Sequence, residues 1–331
     1  MSYEPTVMRK ALARLERRRE GRERRRYALE RELYAKEPRL RELDAALRGT
    51  MADLARLATG GRPVAADGPE IAAIRRRSEA LQAERAALMA GLGYGPDALD
   101  DTPACPHCRD TGWTSGGMCA CLRELCAQEQ IRALTALLNL TDEQDFDRLR
   151  LDVYSDQPWS GKRSPRENMK RIAAVCEGYA RQFPGFEERN LLLSGGTGLG
   201  KTFLSGCIAR EVSNGGYSVV YDTAGSVFGV FDASRFARDA GARDQARDAV
   251  RRYLNCDLMI LDDLGTEQNL PSAQSALYEI VNGRIQSGRH TIISTNLSAD
   301  EIGGRYGAQT GSRIAGLYWE LAFYGDDLRL S

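Results

Sequence analysis

The chain has 331 residues, 42% of them hydrophobic and 28% charged, and its 46 basic residues balance 46 acidic ones. That is enough chain to fill a core and to form two domains, or one domain with appendages. No apolar run approaches the roughly 18 residues of a membrane span, and the opening MSYEPTVMRKALARLERRRE lacks an apolar stretch followed by a small-residue cleavage site, so a cytoplasmic protein without a membrane association is expected.

Charge is unevenly spread. Residues 1–50 hold 15 Arg and Lys against 9 Asp and Glu, most densely over 17–26; such a stretch touches phosphates or anionic lipid, or forms the solvated face of a long helix. Residues 8–58 read as one long helix or two joined ones, since Leu33, Leu40, Leu47 and Leu54 recur every seven residues with Leu29, Leu43, Met51 and Leu57 in the adjoining seam. Gly21 and Pro38 interrupt the pattern, and Gly60-Gly61-Arg62-Pro63 breaks it. A second helix is predicted over about 70–91, with Ile74, Leu81 and Leu88 at the same interval. Together they suggest a helical hairpin or coiled coil over residues 1–95, whose narrow apolar stripe suits docking with a partner or another subunit.

Eight cysteines suggest disulfides, but four of them crowd into residues 105–121, and a chain of this size needs no covalent staples. Cys105-Pro-His-Cys108 and Cys119-Ala-Cys121 form two close pairs separated by ten residues. Four thiolates so spaced can surround one tetrahedral zinc ion, which would be structural because no coordination position is left open. This places a small zinc-binding module at 102–126. His107 and Cys126 are lesser ligand candidates, Trp113 either stacks on a base or packs over the metal knuckle, and Cys176, Cys207 and Cys256 read as buried small hydrophobes. A helix predicted over 120–138 starts within the module and leads through 142–157; the stretch 127–160 is the helix and linker before the last region, 161–331.

There the texture becomes α/β. A helical period through Met169, Ile172, Cys176 and Tyr179 precedes the apolar strand 190–194. Further strands are predicted at 218–221, 258–261, 291–294 and 320–324, with helices over about 243–254 and 272–287, the pattern of a doubly wound parallel sheet flanked by helices. The loop Gly195-Gly196-Thr197-Gly198-Leu199-Gly200-Lys201-Thr202 follows the first strand and opens a helix, the context required of a phosphate-binding loop. Its glycines let backbone amides face phosphates, the helix N-terminus adds unpaired amides, Lys201 is suited to the β- and γ-phosphates of ATP, and Thr202 to Mg2+. Asp262 ends the strand 258–261 and is placed to contact the same magnesium; Asp263 is placed to polarise the attacking water, with Glu267 a lesser candidate. Asn296 at the end of the next strand can orient water and sense the γ-phosphate. Arg305 and Arg313, in a polar helical stretch, are candidate cations for the developing charge, in the same subunit or from a neighbour.

These motifs in this order resemble the bacterial replicative-helicase loaders of the AAA+ superfamily and the related IstB-like ATPases of insertion-sequence transposition. The resemblance runs over about 225 residues, through CPHCRDTGWTSGGMCAC, FDRLRLDVYSD, GGTGLGKTFLSGCIA, LMILDDLGTE, IISTNLSADEI, RYGAQTGSRI and YGDDLRL. It implies an AAA+ P-loop NTPase domain that self-associates, with Arg313 as an arginine finger acting in trans, Asn296 as first sensor and Arg305 secondary. It further implies N-terminal helices and a zinc module that grip a hexameric replicative DNA helicase, contact with single-stranded DNA, and ATP hydrolysis as an assembly and release switch in DNA replication, with weak basal activity. Where the family carries Glu-Arg, this chain has Ala308-Gln309, losing a charged pair. The rival readings are a transposition ATPase that regulates a transposase on double-stranded DNA, and a nucleotide-binding adaptor with negligible hydrolysis.

Overall fold

The structure, a computed structural model, describes residues 3–59, 68–137, 145–267 and 272–329. The break expected at 60–63, residues 142–144 of the linker and Leu330 of the closing YGDDLRL lie outside the described residues. The chain divides into two compact units, Ala13–Gly116 and Met1–Leu12 with Gly117–Ser331.

The helical unit is built from α1 (Pro5–Lys36, of which residues 13–36 belong here), α2 (Pro38–Thr59) and α3 (Pro69–Gly91). Of the two interruptions read from the sequence, only Pro38 divides the helix. A single glycine inside a helix costs about 1 kcal/mol, and α1 continues through Gly21. Proline biases the residue before it away from helical geometry, and Pro38 opens α2 at a position where its missing N–H is not needed. The seam closes on Leu33, Leu40 and Met89, with Leu29, Tyr34, Leu88 and Leu92 around them, but it fades along α2, where Met51 is exposed. Ion pairs then stitch α2 to α3: Arg39 to Glu84 at 2.9 Å and Arg85 to Asp44 at 2.7 Å.

Two short strands, β1 (Trp113–Thr114) and β2 (Gly117–Met118), come earlier in the chain. In the second unit, α4 (Ala120–Leu137) and α5 (Pro165–Arg181) precede a parallel sheet of five strands, β3 (Asn190–Ser194), β4 (Val219–Thr223), β5 (Leu258–Leu264), β6 (His290–Thr295) and β7 (Trp319–Ala322). Their spatial order is β4-β5-β6-β3-β7, which sets β3 in the interior with β6 and β7 beside it. The connecting helices are α6 (Lys201–Asn214), α7 (Ala224–Phe236), α8 (Ala240–Asn255), α9 (Ala273–Gln286), α10 (Ala299–Tyr306) and α11 (Ala308–Leu317).

Because strand side chains alternate in direction, the central strands feed two cores at once. Leu191, Leu193, Ile260 and Ile292 join Ile172, Leu204 and Ile208 on one face, while Leu192, Met259, Leu261 and Ile293 join Phe228, Leu277 and Ile280 on the other. Burial on both faces accounts for the near-continuous apolar runs of β3 and β5. The result is a parallel α/β sheet flanked by helices, as the alternation of strands and helices predicts. Helix α7 carries no expectation from the sequence reading: its small and aromatic residues Ala224, Val227, Phe228 and Phe231 pack inward without a long amphipathic period. Among the described residues, no helix is long and apolar enough to cross a membrane.

Two polar groups tie these layers. Gln130 of α4 donates to Ser213 Oγ at 2.7 Å and Tyr217 O at 2.9 Å, and accepts from Val219 N at 3.0 Å. Arg284 of α9 is wholly buried. Its guanidinium donates to Thr291 Oγ1 at 3.0 Å, Cys256 O at 3.1 Å, His290 O at 2.6 Å and the Tyr253 carbonyl, closing the ends of α8 and β6 around α9. Arg284→Ala would strand those carbonyls in the interior, at about 1–3 kcal/mol for each unsatisfied group. Urea denaturation should show a loss of about 3 kcal/mol or more; an unchanged midpoint would mean that the cation contributes nothing to closing this corner.

Candidate nucleotide site and cysteine cluster

The loop between β3 and α6 wraps over the carboxyl end of the sheet. Its glycines are demanded by space as well as by backbone angle. Gly195 has φ 137° and a Cβ there would collide with the Phe323 carbonyl, while Gly198, at φ 70°, abuts the Asp327 carboxylate. Gly195 N donates to Thr295 O at 3.2 Å and Leu328 N to Gly198 O at 3.2 Å, so β6 and the C-terminal segment hold the loop from two sides. Tyr154, ahead of α5, reaches Leu199 O at 3.3 Å. Helix α6 begins at Lys201 with no side-chain cap, leaving its first amides and the positive end of its dipole to the cavity.

That cavity, about 310 Å³, is lined by Thr197–Thr202 of the loop and by Asp263, Asn296 and Arg329. Lys201 is mostly buried, and its Nζ donates to Gly195 O at 2.7 Å and Gly196 O at 2.6 Å. Burial holds its pKa below the usual lysine value, against the opposing pull of Asp263 and Asp262. Asp262 is buried at the end of β5; its Oδ2 accepts from Tyr221 Oη at 2.8 Å and Thr202 Oγ1 at 3.3 Å, and its Oδ1 accepts from the Ser294 hydroxyl.

A shift in the β5–β6 register between Leu261 and Leu264 marks a bulge, the usual device for re-aiming one side chain of a strand. Asp263 sits in it at φ 55°, with its amide donating to Ser294 Oγ at 3.0 Å, and its carboxylate lines the cavity while that of Asp262 stays beneath. Burial and the neighbouring Asp262 charge push the Asp263 pKa above the usual carboxylate value; Lys201 and Arg329 act in the opposite direction. Asn296 reaches the same rim because β6 ends at Thr295 and α10 starts four residues on, at Ala299, fixed by a capping box in which Glu301 N donates to Ser298 Oγ at 3.3 Å and Ser298 N to Glu301 Oε2 at 2.7 Å.

Lys201, Thr202, Asp262, Asp263 and Asn296 thus converge, whereas three other sequence candidates lie elsewhere. Glu267 neither faces solvent nor lines the cavity: it accepts from Gly265 N at 2.9 Å, from Arg305 at 3.2 Å and from the Tyr306 hydroxyl. Arg305 spends its remaining donors on Gly265 O at 2.7 Å and the Glu267 carbonyl, bracing the loop that follows Asp263. Arg313 is half-buried on α11 with its guanidinium 5.8 Å from the Tyr278 ring centroid, outside the residues that line the cavity. The sequence reading gave no role to Arg329, which lines the site and bears electrostatically on both Lys201 and Asp263. Its signal was the basic residue of the closing YGDDLRL, but only the chain's return past Gly198 gives that residue a place at the site.

Sγ atoms of Cys105, Cys108, Cys119 and Cys121 all lie within 4.8 Å of one another. Tetrahedral zinc with thiolate bonds of about 2.3 Å sets sulfur atoms about 3.8 Å apart, so the four residues fit that ion. Gly112 N donates to Cys108 Sγ at 3.3 Å. Asp110, at φ 62°, shapes the first pair: its carboxylate accepts from Cys105 N at 2.8 Å and Ala104 N at 3.0 Å, and from Arg22. His107 and Cys126 stand outside the cluster. Cys126 is buried, with its thiol pushed up to about 11 by burial and then by Glu129. Trp113 is exposed.

Known proteins bear on the nucleotide site. Residues 185–311 match the family of IstB-like ATP binding proteins. YdaV of Escherichia coli K12, described as uncharacterized, is 27% identical over 113 residues, 34% of this chain and 44% of YdaV. The chromosomal replication initiator DnaA of Gloeobacter violaceus is 29% identical over 129 residues, 38% of this chain and 28% of DnaA. The chain therefore spans less than half the length of both curated relatives. Among solved structures, the DnaC helicase loader is 19% identical with a TM-score of 0.43, over 54% of this chain and 98% of DnaC. A primosome component from Streptococcus pyogenes is 21% identical with a TM-score of 0.41, over 59% of this chain and 97% of its own. The phosphate-binding loop, the carboxylate pair and Asn296 all fall inside residues 185–311, the part of the chain that is similar to IstB-like ATP binding proteins.

Proposed function

We propose that this chain is an ATP-dependent loader of a hexameric replicative DNA helicase onto single-stranded DNA, in which hydrolysis of ATP to ADP and phosphate serves as the assembly and release switch. The observation that carries the ATPase reading is the pairing of Thr202 with the buried Asp262 beneath an uncapped helix N-terminus, with Asp263 and Asn296 at the rim. ATP supplies the transferable phosphoryl group, and magnesium neutralises its charge. The loop 195–200 cradles phosphates through its amides, and Lys201 exchanges the Gly195 and Gly196 carbonyls for phosphate oxygens. Thr202 and Asp262 hold the magnesium ion, Asp263 takes the proton of the attacking water, and Asn296 orients that water. Arg329 adds a cation from the chain's own C-terminal segment, Arg305 positions the loop after Asp263, and Arg313 serves a neighbouring subunit's site.

Loader rather than transposition regulator is favoured by the cysteine cluster and the helical region that precedes it, a metal-stabilised appendage suited to gripping a protein ring. A second reading, an ATPase that regulates a transposase on double-stranded DNA, has the IstB-like family match in its favour. Affinity purification from the native cell separates them by which protein is recovered, the helicase or a transposase.

Turnover should be weak for the chain alone, rise with helicase and single-stranded DNA, and fall about a hundredfold or more in Lys201→Ala, the scale of losing one preorganised cationic contact. No phosphate release with both partners present would overturn the enzyme reading in favour of an adaptor.

If Asp263 is the base, activity needs its carboxylate and is lost as pH falls through a pKa raised above the ordinary aspartate value of about 3.9. The acid limb of kcat/KM should therefore sit above that value, and Asp263→Asn should remove the limb and lower the rate about 10²- to 10⁴-fold. An unaltered limb in the variant would assign the proton transfer elsewhere.

Purified protein should carry one zinc ion per chain by atomic emission, and Cys105→Ser with Cys108→Ser should abolish it. Zinc persisting in that double variant would refute the four-cysteine site.

A further inference from the structure

Five arginines of α1, at positions 14, 17, 18, 22 and 25, share one face of the helix within the unit Ala13–Gly116 and line an open concavity of about 700 Å³. Eleven residues of helix span about 17 Å, so the guanidinium groups form a stripe rather than a point. Two features make the stripe a groove. Gly21 sits in the middle of the same face and leaves its floor without a side chain. The opposite wall is the backbone around Thr102 and Ala104, held against α1 by Arg22, which pairs with Asp101 at 2.7 Å and with Asp110, whose carboxylate also accepts the Ala104 amide at 3.0 Å. Arg22 is thus the strut. Arg17, Arg18 and Arg25 are exposed, and none has a carboxylate partner among the described residues.

We infer that this groove binds the phosphodiester backbone of a nucleic acid. The three exposed cations, Arg17, Arg18 and Arg25, are arginines, whose planar fork matches phosphate oxygens in pairs, and they are spread along one helix face as phosphates are along a backbone. No large apolar side chain lines the groove. A helix that inserts into a lipid interface would need such a face, and so would the anchor residues of a docked peptide. The site lies on a different unit from the nucleotide loop and does not rest on the ATPase reading; its occupation needs no ATP.

The test is fluorescence anisotropy of the full chain, without nucleotide, using a fluorescein-labelled 30-nucleotide single strand and the corresponding duplex across a salt series. Arg17→Ala, Arg18→Ala and Arg25→Ala are combined in one variant. The control combines Arg75→Ala, Arg76→Ala and Arg77→Ala, which removes equal charge from an exposed part of α3. At physiological salt the groove variant should bind about tenfold or more weakly, with a salt slope reduced by about two for a single strand, at about 0.7 per phosphate contact. The control should bind within about twofold of the parent, and circular dichroism should be unchanged for both. Loss with the single strand, the duplex or both supports the groove and identifies the source of the phosphates. Equal weakening by the two variants, or none by either, overturns it. So does poly-glutamate competing as strongly as the oligonucleotide, since that would mark an acidic-peptide site.

Discussion

A buried carboxylate at the carboxyl end of a parallel sheet organises the candidate site. The oxygens of a buried carboxylate must be met by donors, and three hydroxyls meet those of Asp262: Tyr221 from β4, Ser294 from β6 and Thr202 from α6. Each comes from a different element, so satisfying one side chain sets the register of β5 against both neighbours and the azimuth of α6. The bulge that follows is tied to the same point, because Ser294 Oγ also accepts the Asp263 amide. One hydroxyl therefore keeps the first aspartate below the surface and turns the second into the cavity.

The rest of the domain holds this corner still. β3 lies between β6 and β7, and the glycine loop leaving it is pressed between Thr295 and the segment Phe323–Leu328. Arg284 closes the opposite end of β6. Arg305 and Glu267 consume each other's polarity while bracing the turn after Asp263. A charged residue near a site is thus not necessarily of it: these two are spent on shape, and Arg329, much further along the chain, is the cation that enters.

In the other unit, two polar devices substitute for a deep core. The helical seam buries few large residues, and the ion pairs Arg39–Glu84 and Arg85–Asp44 fix how α2 and α3 meet. Asp110 does similar service for the loop bearing Cys105 and Cys108, where burial disfavours its charge but the Cys105 and Ala104 amides and Arg22 outweigh that and hold its carboxyl below the usual range. The dense arginine run of the sequence is consequently not one feature but two, a strut at Arg22 and an exposed groove around it.

Much of this was legible in the residues alone, for a definite reason. Strands buried on both faces tend to be apolar, so β3 and β5 declared themselves by near-continuous apolar runs and β6 by its β-branched stretch Thr291–Ile293; the loop glycines and the cysteine pairs did so because their spacing is set by local backbone geometry. Pro38 dividing α1 from α2 is equally local, and Gly21 misled only because its cost is too small to end a helix. Helix α7 stayed hidden because packing rather than amphipathic period selects it. What the sequence by itself determined, then, are the features whose physics is contained within a few neighbouring residues: the α/β pattern, the phosphate-loop signature and the paired thiols. Only the tertiary structure decided which charges face the cavity, because that depends on contacts between residues far apart in the chain: a bulge against Ser294, a return of the C-terminal segment past Gly198, and the capture of Arg305 by Glu267.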